Sequence, residues 1–232
     1  MENPYVERVA QATDKLLATT SRLDDVGAAG PSLLPDWDRS MVLTHLAANA
    51  DGTRRALEAA AKGEVGEVYP GGRPARDAEI EAGRARPARE VGERLRAACE
   101  QLAAALENAS DEAWESKAVH PSGEVRIGPG LVVGRAREVE VHHVDLGYGY
   151  EPRDWPFGWV LEEMDRVMID LPSRLPPNVA VVLTASDAGQ HWVAGSGDGV
   201  EIMGTTNDLF AWLTGRAPRV GEQECPPLKP WR

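Results

Sequence analysis

The sequence predicts two unlike domains: a bundle of four long helices over residues 1–150, and a small α+β unit over residues 151–232. Three observations lead there. Apolar residues recur at helical spacing in four long stretches ahead of Tyr150. Glycine and proline separate those stretches. Beyond Pro152 the pattern turns to short β-rich runs with glycine-bearing turns between them. Four long helices suffice for an up-and-down bundle, and the mixed remainder reads as a separate unit.

The first helix is expected over residues 4–25, where Val6, Val9, Thr13, Leu16 and Leu17 form one face. A Gly/Pro-rich loop from Gly27 to Pro35 follows. Asp38 is a good N-cap for a second helix to about Lys62, with Met41, Val42, His45, Leu46 and Asn49 on its inward side. Residues 63–72 read as a loop, and Arg73–Ile80 as the start of a short helix. A third long helix covers about Ala88 to Asn108. Residues 117–128, with Gly123 and Gly128, suggest a short hairpin or extended excursion. The fourth helix runs from about Gly130 to Leu146. In the second unit a helix from Trp155 to Leu171 is expected to break at Pro172. Strands are expected at Val179–Thr184, His191–Ala194 and Gly199–Met203, with Gly195–Gly199 as a hairpin turn. A last helix from Thr206 closes at Gly215.

Composition narrows the function. In 232 residues, 42% are hydrophobic and 27% charged, with a formal net charge of −12. That is an ordinary globular composition with an acidic surface, which argues against nucleic acid and anionic membranes as partners. No signal-peptide start and no bilayer-spanning apolar run is evident, so a cytoplasmic protein is expected. The two cysteines, Cys99 and Cys225, form no CxxC pair. Cys99 sits on a helical core stripe, so neither is expected to be a nucleophile or a metal ligand. GxGxxG, Walker, HExxH and GxSxG signatures are absent.

The chemistry concentrates in Arg137–Leu146, which carries three carboxylates and two of the five histidines. On a helix, Glu138 and His142 leave the same face, four residues apart. A carboxylate and an imidazole so placed can share one divalent cation. His45, on the inward face of the second helix, supplies a third donor. By spacing alone, His45 also reads as an ordinary core histidine and Glu138/His142 as a surface pair, and both readings stay open. Glu140 and His143 form a competing pair on a more apolar face. Asp145 reads better as an acceptor for an imidazole N–H or an arginine than as a fourth ligand. Arg73, Arg76, Arg84 and Arg86 cluster near a glycine-rich loop, either as a solvated face or as carboxylate-binding groups.

Trp37…His45-Leu46, Tyr69-Pro70-Gly71-Gly72…Arg76-Asp77-Ala78-Glu79-Ile80 and Arg137-Glu138-Val139-Glu140-Val141-His142-His143-Val144-Asp145-Leu146-Gly147 together resemble the mycothiol-dependent maleylpyruvate isomerases of the DinB-like metalloenzyme superfamily. The resemblance covers nearly the whole chain, including Ala211-Trp212-Leu213-Thr214-Gly215-Arg216 near its end. It implies a DinB-like four-helix bundle followed by the small α+β domain. It implies zinc held by His45, Glu138 and His142, with a position left open, and mycothiol as the thiol cosubstrate. It also implies that Arg76 and Arg216 help bind substrate between the domains.

Zinc with three protein ligands keeps a coordination position in which a bound thiol loses its proton near neutral pH. In an isomerase this thiolate adds to the cis double bond of a maleylpyruvate-like keto-diacid, and rotation and elimination give the trans product. In an S-transferase of the same family the thiolate attacks an electrophilic metabolite or xenobiotic, and the conjugate leaves. A non-catalytic metal-binding protein on the same bundle is the reading from another class. A non-haem iron enzyme is a third, because two histidines and a carboxylate also describe that facial triad.

Overall fold

The computed structural model describes residues 3–110, 114, 117–119 and 125–231. The chain divides into two compact units, Met1–Tyr150 and Glu151–Arg232.

The first unit is mostly helical. It contains α1 (Pro4–Thr20), α2 (Asp25–Ala29), α3 (Arg39–Ala60), α4 (Gly72–Glu81), α5 (Ala88–Glu107) and α6 (Gly128–Asp145). Local chemistry sets the helix starts. Asn3 caps α1 by accepting from the Tyr5 amide, and Asp38 caps α3 by accepting from the Met41 amide at 2.8 Å. The first helix stops at Thr20, short of the expected residue 25. Asp24 there accepts from the Gly27 amide and opens α2 inside the stretch expected to be loop. A strong local cap outweighs the breaker composition of those residues.

The four long helices pack in pairs: α3 against α5 and α6, and α1 against α6 and α5. Their core includes Leu16, Leu43, Leu46, Leu95, Leu102, Val139 and Leu146. Each of these loses nearly all its exposure, which supplies most of the stabilisation of such a unit. Arg39 locks the start of α3 to the end of α6. Its Nε donates to the Leu146 carbonyl at 2.7 Å, and its Nη2 to that of Gly147 at 3.1 Å. This clamp fixes how the two helices slide past each other.

A three-stranded sheet joins β1 (Gly66–Glu67), β2 (Lys117–Val119) and β3 (Val125–Ile127), with β2 and β3 antiparallel. The expected hairpin is thus present as a strand pair, while residues 120–124, Gly123 among them, lie outside the described residues.

In the second unit a short 3-10 turn (Pro152–Asp154) precedes α7 (Phe157–Arg174). This helix passes through Pro172, where a break was expected. Contacts on both sides hold its last turn. Leu171 is fully buried, and Arg174 donates from Nη2 to the Leu213 carbonyl at 2.6 Å and from Nε to that of Lys229 at 3.1 Å. Strand β4 (Val179–Ala185) is central, with β5 (Gln190–Gly195) antiparallel on one side and β6 (Asp198–Gly204) parallel on the other.

Gly195–Gly199 is therefore a crossover, not a hairpin turn. Two residues carry the chain from one edge of the sheet to the other beneath the start of β4. Only glycine permits it. Gly195 and Gly197 have φ of +85° and +108°. A Cβ on either would overlap a carbonyl oxygen, of Val179 and of Asn178 respectively. Helix α8 (Thr206–Leu213) follows and ends at Gly215, φ +78°. Short strands β7 (Arg219–Val220) and β8 (Gln223–Glu224) complete the unit. No helix among the described residues is long and apolar enough to cross a membrane.

Candidate metal centre

His45, Glu138 and His142 converge. The two α6 residues share a face by helical spacing, and the Arg39 clamp sets α3 so that His45 meets them. His45 Nε2 donates to Glu138 Oε2 at 2.8 Å, and His142 Nε2 lies 3.4 Å from the same oxygen. The two imidazoles meet edge to face, with centroids 4.7 Å apart at 88°. Trp37 closes on His45 from another side, at 6.0 Å.

Among the described residues these three form the one group that offers three candidate ligand atoms within 4.8 Å of one another. Two donors on opposite sides of a single ion are at most about 4.2 Å apart for bonds of about 2.1 Å. The Glu138 oxygen stands 2.8 and 3.4 Å from the two imidazole nitrogens, inside that limit, so the donor set fits a divalent cation. Burial agrees: His45 is 2% exposed, while Glu138 and His142 are open enough to be reached.

Asp145 is placed as an acceptor. Its Oδ2 takes the His142 Nδ1–H at 2.8 Å, which holds the ring with Nε2 toward Glu138. Burial works against charge on His142, but Asp145 and Glu138 together outweigh it and raise its pKa. Burial lowers His45 to about 4, only partly opposed by Glu138. Burial also opposes ionisation of Glu138, yet hydrogen bonds to both imidazoles hold it well below the usual carboxylate range. The resting site thus has an ionised carboxylate, one neutral imidazole and one that takes a proton readily.

The competing pair on α6 faces elsewhere. Glu140 accepts from the Tyr150 hydroxyl at 2.5 Å. His143 stacks on the Tyr150 ring at 3.8 Å and bonds Thr19 Oγ1 at 2.9 Å. These contacts bind α6 to α1 and to the end of the first unit.

Of the four clustered arginines, the fold brings Arg76 to the site. Its Nη2 donates to His45 Nδ1 at 3.4 Å, and its Nη1 to Asp77 at 2.8 Å. Arg73 is exposed, Arg84 binds Glu81 and the Asp36 carbonyl, and Arg86 binds Glu90 and the Ala82 carbonyl. Arg216 belongs to the second unit. There its Nη1 donates to the Thr214 carbonyl, and its Cζ stands 5.9 Å from the Trp231 ring centre. Cys99 is buried and Cys225 half-buried, and burial raises both thiols. That is poor ground for a nucleophile.

Residue-type patterns did not single out Tyr69. It is 7% exposed and sits under Arg76, whose Cζ is 5.8 Å from its ring centre. Its hydroxyl has no hydrogen-bond partner among the described residues. Burial, and next the Glu138 charge, push it up to about 12, against smaller opposing effects of Arg76 and Asn49. The only sequence signal was its place in the Tyr69-Pro70-Gly71-Gly72 segment. A glycine explains its arrival: a Cβ at Gly52 of α3 would overlap the Val68 carbonyl oxygen. The strap before α4 can therefore lie directly on α3, where Arg55 Nη2 also donates to that carbonyl at 3.0 Å.

The family model of the mycothiol maleylpyruvate isomerase N-terminal domain matches residues 9–147, which include all three converging donors. The chain belongs to that family. The crystal structure of the mycothiol-dependent maleylpyruvate isomerase resembles it with a TM-score of 0.89 and 22% sequence identity, over 98% of this chain and 96% of that one. A crystal structure of a histidine-to-alanine mutant of that isomerase matches with the same figures. At this identity the likeness establishes a shared fold, mostly helical with a small C-terminal sheet. No curated protein matches the chain.

Proposed function

We propose that this chain is a zinc-dependent, mycothiol-using enzyme that isomerises a maleylpyruvate-like keto-diacid from cis to trans. The observation that carries the reading is the convergence of His45, Glu138 and His142 in a member of this family. His45, Glu138 and His142 hold the ion, on a first unit that is a DinB-like four-helix bundle, and Asp145 orients His142. When bound, the ion would supply Lewis acidity that lowers the pKa of a thiol delivered to the site.

The protein residues supply binding and charge stabilisation. The thiolate sulfur adds to one alkene carbon, and the π electrons move onto the conjugated carbonyl oxygen as an enolate. Rotation about the new single bond follows. Collapse of the enolate expels the sulfur and leaves the trans alkene, with the thiol unchanged. Arg76, beside His45, holds a substrate carboxylate and the developing enolate through charge-assisted hydrogen bonds, and Arg216 is assigned to substrate binding. Neither cysteine of the protein takes part, which agrees with a nucleophile delivered by the cosubstrate.

The test is turnover of maleylpyruvate to fumarylpyruvate by zinc-loaded protein with mycothiol, alongside metal analysis of His45→Ala and His142→Ala. Catalytic mycothiol with full recovery of the thiol marks the isomerase. Thiol consumed in step with an electrophile marks an S-transferase at the same site. Unchanged metal content in both variants would overturn the ligand assignment.

A further inference from the structure

The buried hydroxyl of Tyr69 has no use in the packing of the protein. Its ring belongs to a small apolar cluster with Ala48, Ala56, Val68 and Leu131. A phenylalanine ring would fill that cluster equally well. Yet the oxygen is buried without a hydrogen-bond partner among the described residues. An unpaired buried hydroxyl is destabilising, and such groups are uncommon in folded proteins. This one is also held in place. The strap that carries it is pressed onto α3 at Gly52 and fixed by Arg55 at the Val68 carbonyl.

Its surroundings indicate what it awaits. Arg76 lies over the ring and touches His45, and the Glu138 charge reaches the phenol. No neighbour takes its proton. Arg76 has no acceptor atom, Asn49 Oδ1 already accepts from Arg135 Nη1 at 2.9 Å, and Glu138 is engaged by two imidazoles. What is missing is an acceptor, and at a site flanked by a guanidinium the acceptor that suits it is an anionic oxygen. The enolate of the proposed reaction presents such an oxygen beside the ion and Arg76.

We propose that Tyr69 is a catalytic residue that donates its hydroxyl to the keto oxygen of the bound substrate as that oxygen becomes an enolate. This rests on the isomerase reading above. No proton is transferred: the O–H stays on Tyr69 and the hydrogen bond strengthens as charge develops. A donor aimed at such an oxyanion typically contributes about 10²–10³ in kcat.

The experiment compares full-length, zinc-loaded wild type with Tyr69→Phe. The readouts are zinc content, thermal melting, kcat and KM with maleylpyruvate and mycothiol, and calorimetric binding of succinylpyruvate, the saturated analogue with no double bond to isomerise. The expected result is unchanged zinc, a melting temperature no lower than wild type, and kcat down about 100-fold with KM changed less than about threefold. Succinylpyruvate, which carries the keto oxygen but develops no charge, should bind only a few-fold more weakly. The proposal is overturned if kcat/KM stays within about threefold of wild type, or if activity, zinc and melting temperature fall together, as a structural role would require. Wild type that turns over while the variant equals it removes only Tyr69. Wild type that neither turns over nor binds succinylpyruvate removes the isomerase reading, and Tyr69's role with it.

Discussion

Acid should weaken zinc binding along a shallow slope that the pair of imidazoles makes diagnostic. Protons compete with the ion for any ligand they occupy. Glu138 is held ionised and His45 is pushed down to about 4, so neither carries a proton at pH 5.0–6.5. His142 is raised above the ordinary 6.5, so it does. Zinc then displaces about one proton across this window. The Kd should rise about tenfold per pH unit, about 1.4 kcal/mol, or roughly 30-fold from pH 6.5 to 5.0. Two unperturbed imidazoles at 6.5 would each contribute a factor of about 16, roughly 250-fold together. Chelator competition in the absence of thiol measures the slope, and calorimetry in buffers of different ionisation enthalpy counts the protons. Near two protons per ion would refute the electrostatics assigned to His45. Near none would refute those assigned to His142.

Other perturbations separate the parts of the site and of the fold. Asp145→Asn removes the charge that holds the proton on His142 Nδ1 and offers a competing amide donor, and zinc affinity in the same competition assay should drop about 10–100-fold. Arg76→Lys keeps the charge and loses the planar fork, so kcat/KM should fall at least about tenfold with zinc content unchanged by mass spectrometry. Gly195→Ala sets a Cβ against the Val179 carbonyl at φ +85°; urea unfolding should show a loss of about 2 kcal/mol or more. Leu46→Ala, at a fully buried position in the core of the first unit, should cost about 2–5 kcal/mol in the same experiment.

Particular residues mark the limit of what could be read in the chain. Asp38 announced its helix because an N-cap is a contact between near neighbours. The five-residue helix after Asp24 was hidden, since glycine and proline around it argue for loop while its cap argues for helix. Pro172 showed the reverse error. Local sterics say stop, and the anchoring of Arg174 to Leu213 and Lys229 overrules them. The Gly195–Gly199 turn had hairpin composition, but only strand pairing reveals that the chain passes under β4 to the far edge of the sheet. Arg76 could not be told from Arg73, Arg84 and Arg86 by type or spacing. Its place beside His45 comes from how α4 lies on α3.

The amino-acid order alone determined that Glu138 and His142 share a face, that Asp145 follows one turn on, and that His45 points inward. Helix geometry dictates each of these over a few residues. Tertiary packing alone decided that His45 reaches that face, that one arginine and one tyrosine join it, and which way Glu140 and His143 turn. Those outcomes depend on how one helix slides and rotates against another. That is governed by the summed burial of many side chains and a few long-range clamps such as Arg39, and no local spacing encodes it.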